Sequence, residues 1–201
     1  MSEQSRADRT PPDRESTSGR PSRRRLLGLL AGLAVVVVGL DQLTKHLAEA
    51  HLEPGGTIPV LGSVLSLHLV YNPGAAFSLA TGMTWVFTLA ALVVTVVVLR
   101  VARRIGSAWW AVALGLLLGG SVGNLYDRLF RDPAFGRGHV VDFINYNGYF
   151  VGNVADIAIV GAAVLIAVLA LRGREVDGSL AGSADVPEET AAAEGTGHGR
   201  A

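Results

Sequence analysis

Two carboxylates stand ahead of the last apolar stretch of the chain: Asp142 in "VVDFI" (140–144) and Asp156 in "NVADIAI" (153–159), fourteen residues apart. An acid in hydrocarbon costs roughly 2.5–3.5 kcal/mol on insertion scales, so acids at such a threshold are retained mainly where they do something. Asp142 is embedded among apolar neighbours. Asp156 stands at the start of a helical pattern, where the positive end of the helix dipole favours a carboxylate. The stretch between them is long enough for a loop that folds back and brings the carboxyls together. Two carboxylates within ~3 Å cannot both ionise easily, so they share one proton; one oxygen then serves as base toward a water while the other acid polarises a carbonyl. The chain has no cysteine, and no serine sits in a nucleophile-elbow context, so no other group here could hydrolyse a bond at neutral pH. Taken singly, each acid reads equally well as an N-cap or interfacial residue. Taken jointly, with Asn72, Asn124 and Asn153 nearby in the same layer, hydrolysis is the better reading.

In "GGSVGNLYDRLF" (119–130), Asn124, Asp127 and Arg128 have i, i+3, i+4 spacing and share a helical face. On local grounds this is a helix end with small residues for close packing and an Asp–Arg pair at the interface. His46, His51, His68 and His139 show no ligand spacing, so a zinc site has no support and His68 reads as an interfacial side chain. Formal net charge is zero, with an Arg-rich start and an acidic end. No stacking aromatics accompany the Arg cluster, so nucleic acid is not an expected partner.

The elements that must position these residues follow from hydropathy. Half of the 201 residues are hydrophobic, and they concentrate in Leu26–Leu40, Thr84–Val101, Ala108–Tyr126 and Val154–Leu171, each close to the ~20 residues a helix needs to cross ~30 Å of hydrocarbon. The first extends C-terminally, with Leu43 and Leu47 as an apolar stripe beside Gln42, Lys45 and Glu49, giving expected spans at 26–47, 84–101, 108–126 and 154–171. Residues 1–25 and 173–201 read as disordered tails. A cleaved export signal ending at "AEA" (48–50) is the weaker alternative, because "DQLTKH" separates the apolar run from that site. With four crossings, Arg23–Arg25, Arg100, Arg103, Arg104, Arg172 and Arg174 share one side, which is therefore cytoplasmic, as are both termini. Asp41, Asn72, Asn124, Asp127, Arg128, Asp142, Asn153 and Asp156 all fall on the opposite face. Residues 64–71 alternate in strand fashion, and turn residues bracket them, so an extracytoplasmic β-region is expected over 54–78. The fold class is an all-α membrane protein, four transmembrane helices in a bundle with a small extracytoplasmic β-sheet.

At these residues the chain resembles the lipoprotein signal peptidases (signal peptidase II), bacterial intramembrane aspartic proteases. The resemblance runs from Leu26 to Leu171 and rests on "DQLTK" (41–45), "NPGAAFS" (72–78), "GNLYDR" (123–128), "VVDFI" and "NVADIAI", in the family's order. It implies that residues 26–172 are a four-span peptidase domain in the cytoplasmic membrane, with a β-cradle and an active site near the extracytoplasmic face. It also implies Asp142 and Asp156 as the catalytic pair, with Asp41, Asn72, Asn124, Asp127, Arg128, Asn153 and Ala155 supporting the dyad or binding substrate. The implied substrate is a prolipoprotein already carrying diacylglycerol on its lipobox cysteine, cut just before that cysteine. No metal or organic cofactor is expected, globomycin-type cyclic peptides would inhibit, and the enzyme would act as a monomer in contact with membrane lipid. Apart from the resemblance, the substrate's diacylglyceryl chains are expected to lie against span residues such as Val93 and Leu116. One departure stands out: the family often has Phe before the Asn of its last motif, whereas here Gly152 stands there and Phe150 two positions earlier. The alternative from a different class is a small transporter or channel, which predicts polar residues near the midplane and an internal repeat; neither is visible in the spans.

Overall fold

The computed structural model describes residues 21–53, 55–74 and 84–181. The element order is α1 (Arg23–His51), β1 (Ile58–Leu61), β2 (Leu65–Asn72), α2 (Thr84–Ala102), α3 (Ala108–Phe130), β3 (Val140–Tyr146), β4 (Phe150–Gly152) and α4 (Val154–Leu171). All four helices are long and apolar enough to cross a membrane. Most of both tails lies outside the described residues, as do Ala75–Ser78 of the second motif. Arg23–Arg25, expected in the N-terminal tail, instead begin α1. After α4 the chain turns back, pairs Arg174 with Leu180 and reaches the α2–α3 connection, where the Gly106 amide donates to the Val176 carbonyl.

The central helix is α3, packed against α1, α2 and α4. Its glycines make this approach possible. A Cβ at Gly119 would lie 2.6 Å from the Val37 Cβ, one at Gly120 2.6 Å from the Ala155 carbonyl oxygen, and one at Gly123 2.7 Å from Asp41 Oδ2. Helices in lipid gain no hydrophobic drive toward each other, so backbone contact of this kind supplies the packing.

One face of α1 is buried along its length: Leu26, Leu30, Ala34, Val37, Asp41, Lys45 and Ala48. Leu26 and Leu30 join Val98, Ala102, Ile105, Ala111 and Leu114 in an apolar cluster among α1, α2 and α3. Ala48 and Leu52 join Leu69, Val141 and Phe143 in a second cluster beneath the sheet. Asp41 and Lys45 fall between the two, so a polar layer is enclosed by apolar ones. The apolar stripe of Leu43 and Leu47 faces outward, 54% and 46% exposed.

The sheet is antiparallel with order β1-β2-β3-β4. Only β2 was legible as a strand. The region between the acids, expected to be a loop, is a hairpin of β3 and β4 turning at Asn147 (φ 52°) and Gly148 (φ 78°), the paired positive φ of a two-residue hairpin turn. Asp142 is therefore a strand residue, paired with Val70 beside a β-bulge in β2.

Candidate active site

Asp142 is 2% exposed. Its Oδ1 accepts from Asn153 Nδ2 at 2.6 Å, and its Oδ2 from Asn72 Nδ2 at 2.8 Å. Asn72, at the end of β2, is fixed in turn by the Gly74 amide, which donates to Asn72 Oδ1 at 2.8 Å. Burial lifts the Asp142 carboxyl to about 7, and the charge of Asp156 pushes the same way; the amides of Asn72 and Asn153 and the charge of Lys45 oppose them.

Asp156 occupies the first turn of α4 in a reciprocal cap with Asn153. The Asp156 amide donates to Asn153 Oδ1 at 3.0 Å, and the Asn153 amide to Asp156 Oδ2 at 3.1 Å. Asn124 Nδ2 donates to Asp156 Oδ1 at 3.0 Å. Asn153, wholly buried, thus caps the helix that carries one acid while its side chain holds the other. Asn124 Oδ1 accepts from Asn153 Nδ2 at 3.2 Å and from Lys45 Nζ at 3.0 Å, tying both amides to the next layer.

That layer is ionic and buried. Lys45 Nζ lies 2.7 Å from both Asp41 Oδ2 and Asp127 Oδ2, with all three side chains fully enclosed. Asp41 Oδ1 accepts the Ala155 amide at 3.0 Å, which pins the start of α4 to α1. Asp127 Oδ2 accepts the Val141 amide at 3.3 Å, pinning β3 to α3 immediately before Asp142. Asp127 Oδ1 accepts from Arg131 Nε at 2.8 Å and Gln42 Nε2 at 3.1 Å, and Arg131 continues to Glu49 at 2.6 Å.

All nine residues singled out in the sequence converge here, but one local expectation is corrected. Asp127 pairs with Lys45 and Arg131, not with Arg128. The Arg128 guanidinium instead lies 5.4 Å from the Phe87 ring centroid, facing Asp142, Asp127 and Asp156, and its Nη1 is buried without a hydrogen-bond partner among the described residues. Lys45, Gln42, Glu49 and Arg131 were not singled out. The i, i+4 spacing of Asp41 with Lys45 and of Asp127 with Arg131 was the available signal. His68 Nδ1 lies 2.9 Å from the Gly56 carbonyl oxygen. Among the described residues, no three His, Asp or Glu side chains form a metal-ligand group.

A family model described as signal peptidase (SPase) II matches residues 33–172. The chain is 52% identical over 160 residues to the lipoprotein signal peptidase of Rhodococcus jostii strain RHA1, covering 80% of this chain and 79% of that one. It is 50% identical over 158 residues to that of Mycobacterium avium strain 104, covering 79% and 86% respectively. A solved bacterial membrane enzyme superposes with a TM-score of 0.64 at 26% identity, covering 72% of this chain and 94% of that one.

Proposed function

Because the chain belongs to the signal peptidase II family, and so is a multi-pass bacterial membrane protease that removes signal peptides from prolipoproteins, we propose that Asp142 and Asp156 are the pair that cuts the peptide bond. This displaces the transporter or channel alternative. The observation that carries the assignment is Asn153: its backbone and side chain cap Asp156, and its Nδ2 holds Asp142. No structural need for a helix cap requires that second carboxylate.

In this reading the pair holds one proton at neutral pH. One carboxylate accepts a proton from the attacking water, and the protonated partner polarises the scissile carbonyl and later passes its proton to the leaving amine. Asn72, Asn124 and Asn153 hold the carboxyls in place, so the donors are organised before substrate arrives. Nη1 of Arg128, without a hydrogen-bond partner among the described residues, is a donor available to a substrate carbonyl. Asp41, Asp127 and the Ala155 amide position β3 and α4 relative to each other. The substrate is a prolipoprotein carrying diacylglycerol on its cysteine, cut just before that residue. The enzyme works as a monomer in contact with lipid, with both termini cytoplasmic and the dyad near the extracytoplasmic face.

The test is cleavage of a diacylglyceryl prolipoprotein by purified protein in detergent, read by the mass of the released signal peptide, with and without globomycin. Asp142→Asn and Asp156→Asn should each lower kcat by at least about a thousandfold. Cleavage by either variant within a few-fold of wild type would overturn the assignment.

A further inference from the structure

Among the described residues, none of the side chains that hold Asp142 and Asp156 comes from α2, but α2 supplies the ring against which Arg128 lies. Arg128 is 8% exposed, and Asp127 of its own helix, Asp142 of β3 and Asp156 of α4 all face it. It forms an ion pair with none of these acids. Asp127 goes to Lys45 and Arg131, while Asp142 and Asp156 are held by Asn72, Asn124 and Asn153. A buried guanidinium whose Nη1 has no hydrogen-bond partner among the described residues needs other compensation, and the Phe87 face provides it, with Cζ 5.4 Å from the ring centroid. That is within the ~6 Å over which an aromatic quadrupole attracts a cation.

The same ring touches a support of Asp142. A Cβ at Gly74 would overlap Phe87 Cδ2 and lie 2.8 Å from Cε2. Gly74, at φ 105°, turns its bare backbone to the ring and donates its amide to Asn72 Oδ1, and Asn72 Nδ2 donates in turn to Asp142 Oδ2. Phe87 therefore contacts both the turn that fixes Asn72 and the guanidinium of Arg128. The next residue, Thr88, donates to the Gly136 carbonyl at 2.9 Å, which ties this part of α2 to the segment joining α3 to β3.

Resting on the Asp142 and Asp156 pair proposed above, we propose that Phe87 is a positioning residue: its ring holds the Arg128 guanidinium near both carboxylates without letting it pair with either, and so keeps Nη1 free for a substrate carbonyl. An arginine that swung onto Asp142 or Asp156 would favour the ionised carboxylate and remove the proton that the pair must share. An aliphatic side chain could fill the same space, but it has no quadrupole to hold a cation. Lys45 of α1, the other cation acting on Asp142, is fixed between Asp41 and Asp127.

The experiment replaces Phe87 in the full-length enzyme, purified in detergent, by phenylalanines carrying one, two or three ring fluorines, and reads cleavage of a diacylglyceryl prolipoprotein. Fluorination keeps the ring's shape and drains negative charge from its face. kcat/KM should fall stepwise with fluorine number, by about tenfold at three fluorines, with the melting temperature unchanged. Phe87→Leu should lose about as much, whereas Phe87→Tyr, which keeps the ring, should stay within about threefold of wild type. In Phe87→Leu the alkaline limb of the kcat profile should move to lower pH, because a freed guanidinium favours the doubly ionised pair. If Phe87→Leu does not fold, the fluorinated series carries the comparison. Rates indifferent to fluorination would overturn the proposal, since the ring would then only fill space. So would a folded Phe87→Leu enzyme whose alkaline limb stays in place. Asp142→Asn assayed in parallel separates the two readings: its cleavage within a few-fold of wild type would sink the dyad, whereas an inactive Asp142→Asn beside a flat fluorination series would sink the role of Phe87 alone.

Discussion

An aspartate buried to 2% exposure with two amide donors on its oxygens is under opposing pressures, and at Asp142 burial prevails, lifting the carboxyl to about 7 against an ordinary 3.8. The folded protein therefore binds more protons than the unfolded chain between about pH 4 and pH 7, and this group's contribution to stability falls as pH rises through that window. Asp142→Asn removes the dependence. An Asn amide there faces two fixed donors, from Asn72 and Asn153, and carries a constant cost. The melting temperature of the variant relative to wild type should therefore shift in the variant's favour from pH 5 to pH 8, and a pH-independent difference would contradict the raised value. Lys45 poses the converse case. Lying between Asp41 and Asp127, it touches two enclosed carboxylates, so Lys45→Met leaves charge uncompensated and should destabilise by about 3–5 kcal/mol. Denaturation in detergent measures this, and a loss below about 1 kcal/mol would show that the carboxylates find other partners.

The hairpin of β3 and β4 connects the two acids, and its turn sets their relation. Asn147 and Gly148 both have positive φ, and Ile144 pairs with Gly152 immediately before the Asn153 cap. A β-branched residue at φ 78° is strained, so Gly148→Val should cost about 1–2 kcal/mol, and Gly148→Asn less. Because the strain falls on the element carrying Asp142, kcat should drop more than the melting temperature predicts; equal effects on both would make the hairpin a spacer only. This element also marks the limit of what the sequence disclosed. The four spans and β2 were legible because their apolar residues repeat at helical or strand spacing over many positions. β3 and β4 are short and mix Asn and Tyr with apolar residues, so no alternation stood out, although the Asn147–Gly148 dipeptide is a hairpin signal. The inward face of α1 was not legible for a different physical reason. Lipid accepts Leu43 and Leu47 on the outside, so the residues facing the interior are those that cannot face hydrocarbon, Asp41 and Lys45. The site residues at motif positions were legible by type, whereas the reach of Gln42 to Asp127 and of Glu49 to Arg131 depends on contacts between distant segments.

At the scale of the whole molecule, the site residues gather at one end of the bundle, and a cluster of three arginines marks the other. The sheet, Asp142, Asp156 and the ionic layer occupy the end reached by the C-terminus of α1, the C-terminus of α3 and the N-terminus of α4. Arg100, Arg103 and Arg104 stand at the opposite end, beside Glu175, Val176 and Asp177. Arginine near span ends favours the cytoplasm, which supports the proposed orientation with Asp142 and Asp156 outside, where a prolipoprotein's cysteine emerges. The cysteine-free chain allows a clean measurement. Tyr149, 82% exposed at the hairpin tip, and Arg103, exposed at the other end, are each replaced by cysteine in separate variants. An impermeant maleimide added to intact cells, with the outer barrier opened where there is one, should label Tyr149→Cys and leave Arg103→Cys unlabelled until the cytoplasmic membrane is permeabilised. The reverse pattern would place the acids on the cytoplasmic side, away from translocated substrate, and the proposed orientation would fail even with the dyad geometry intact.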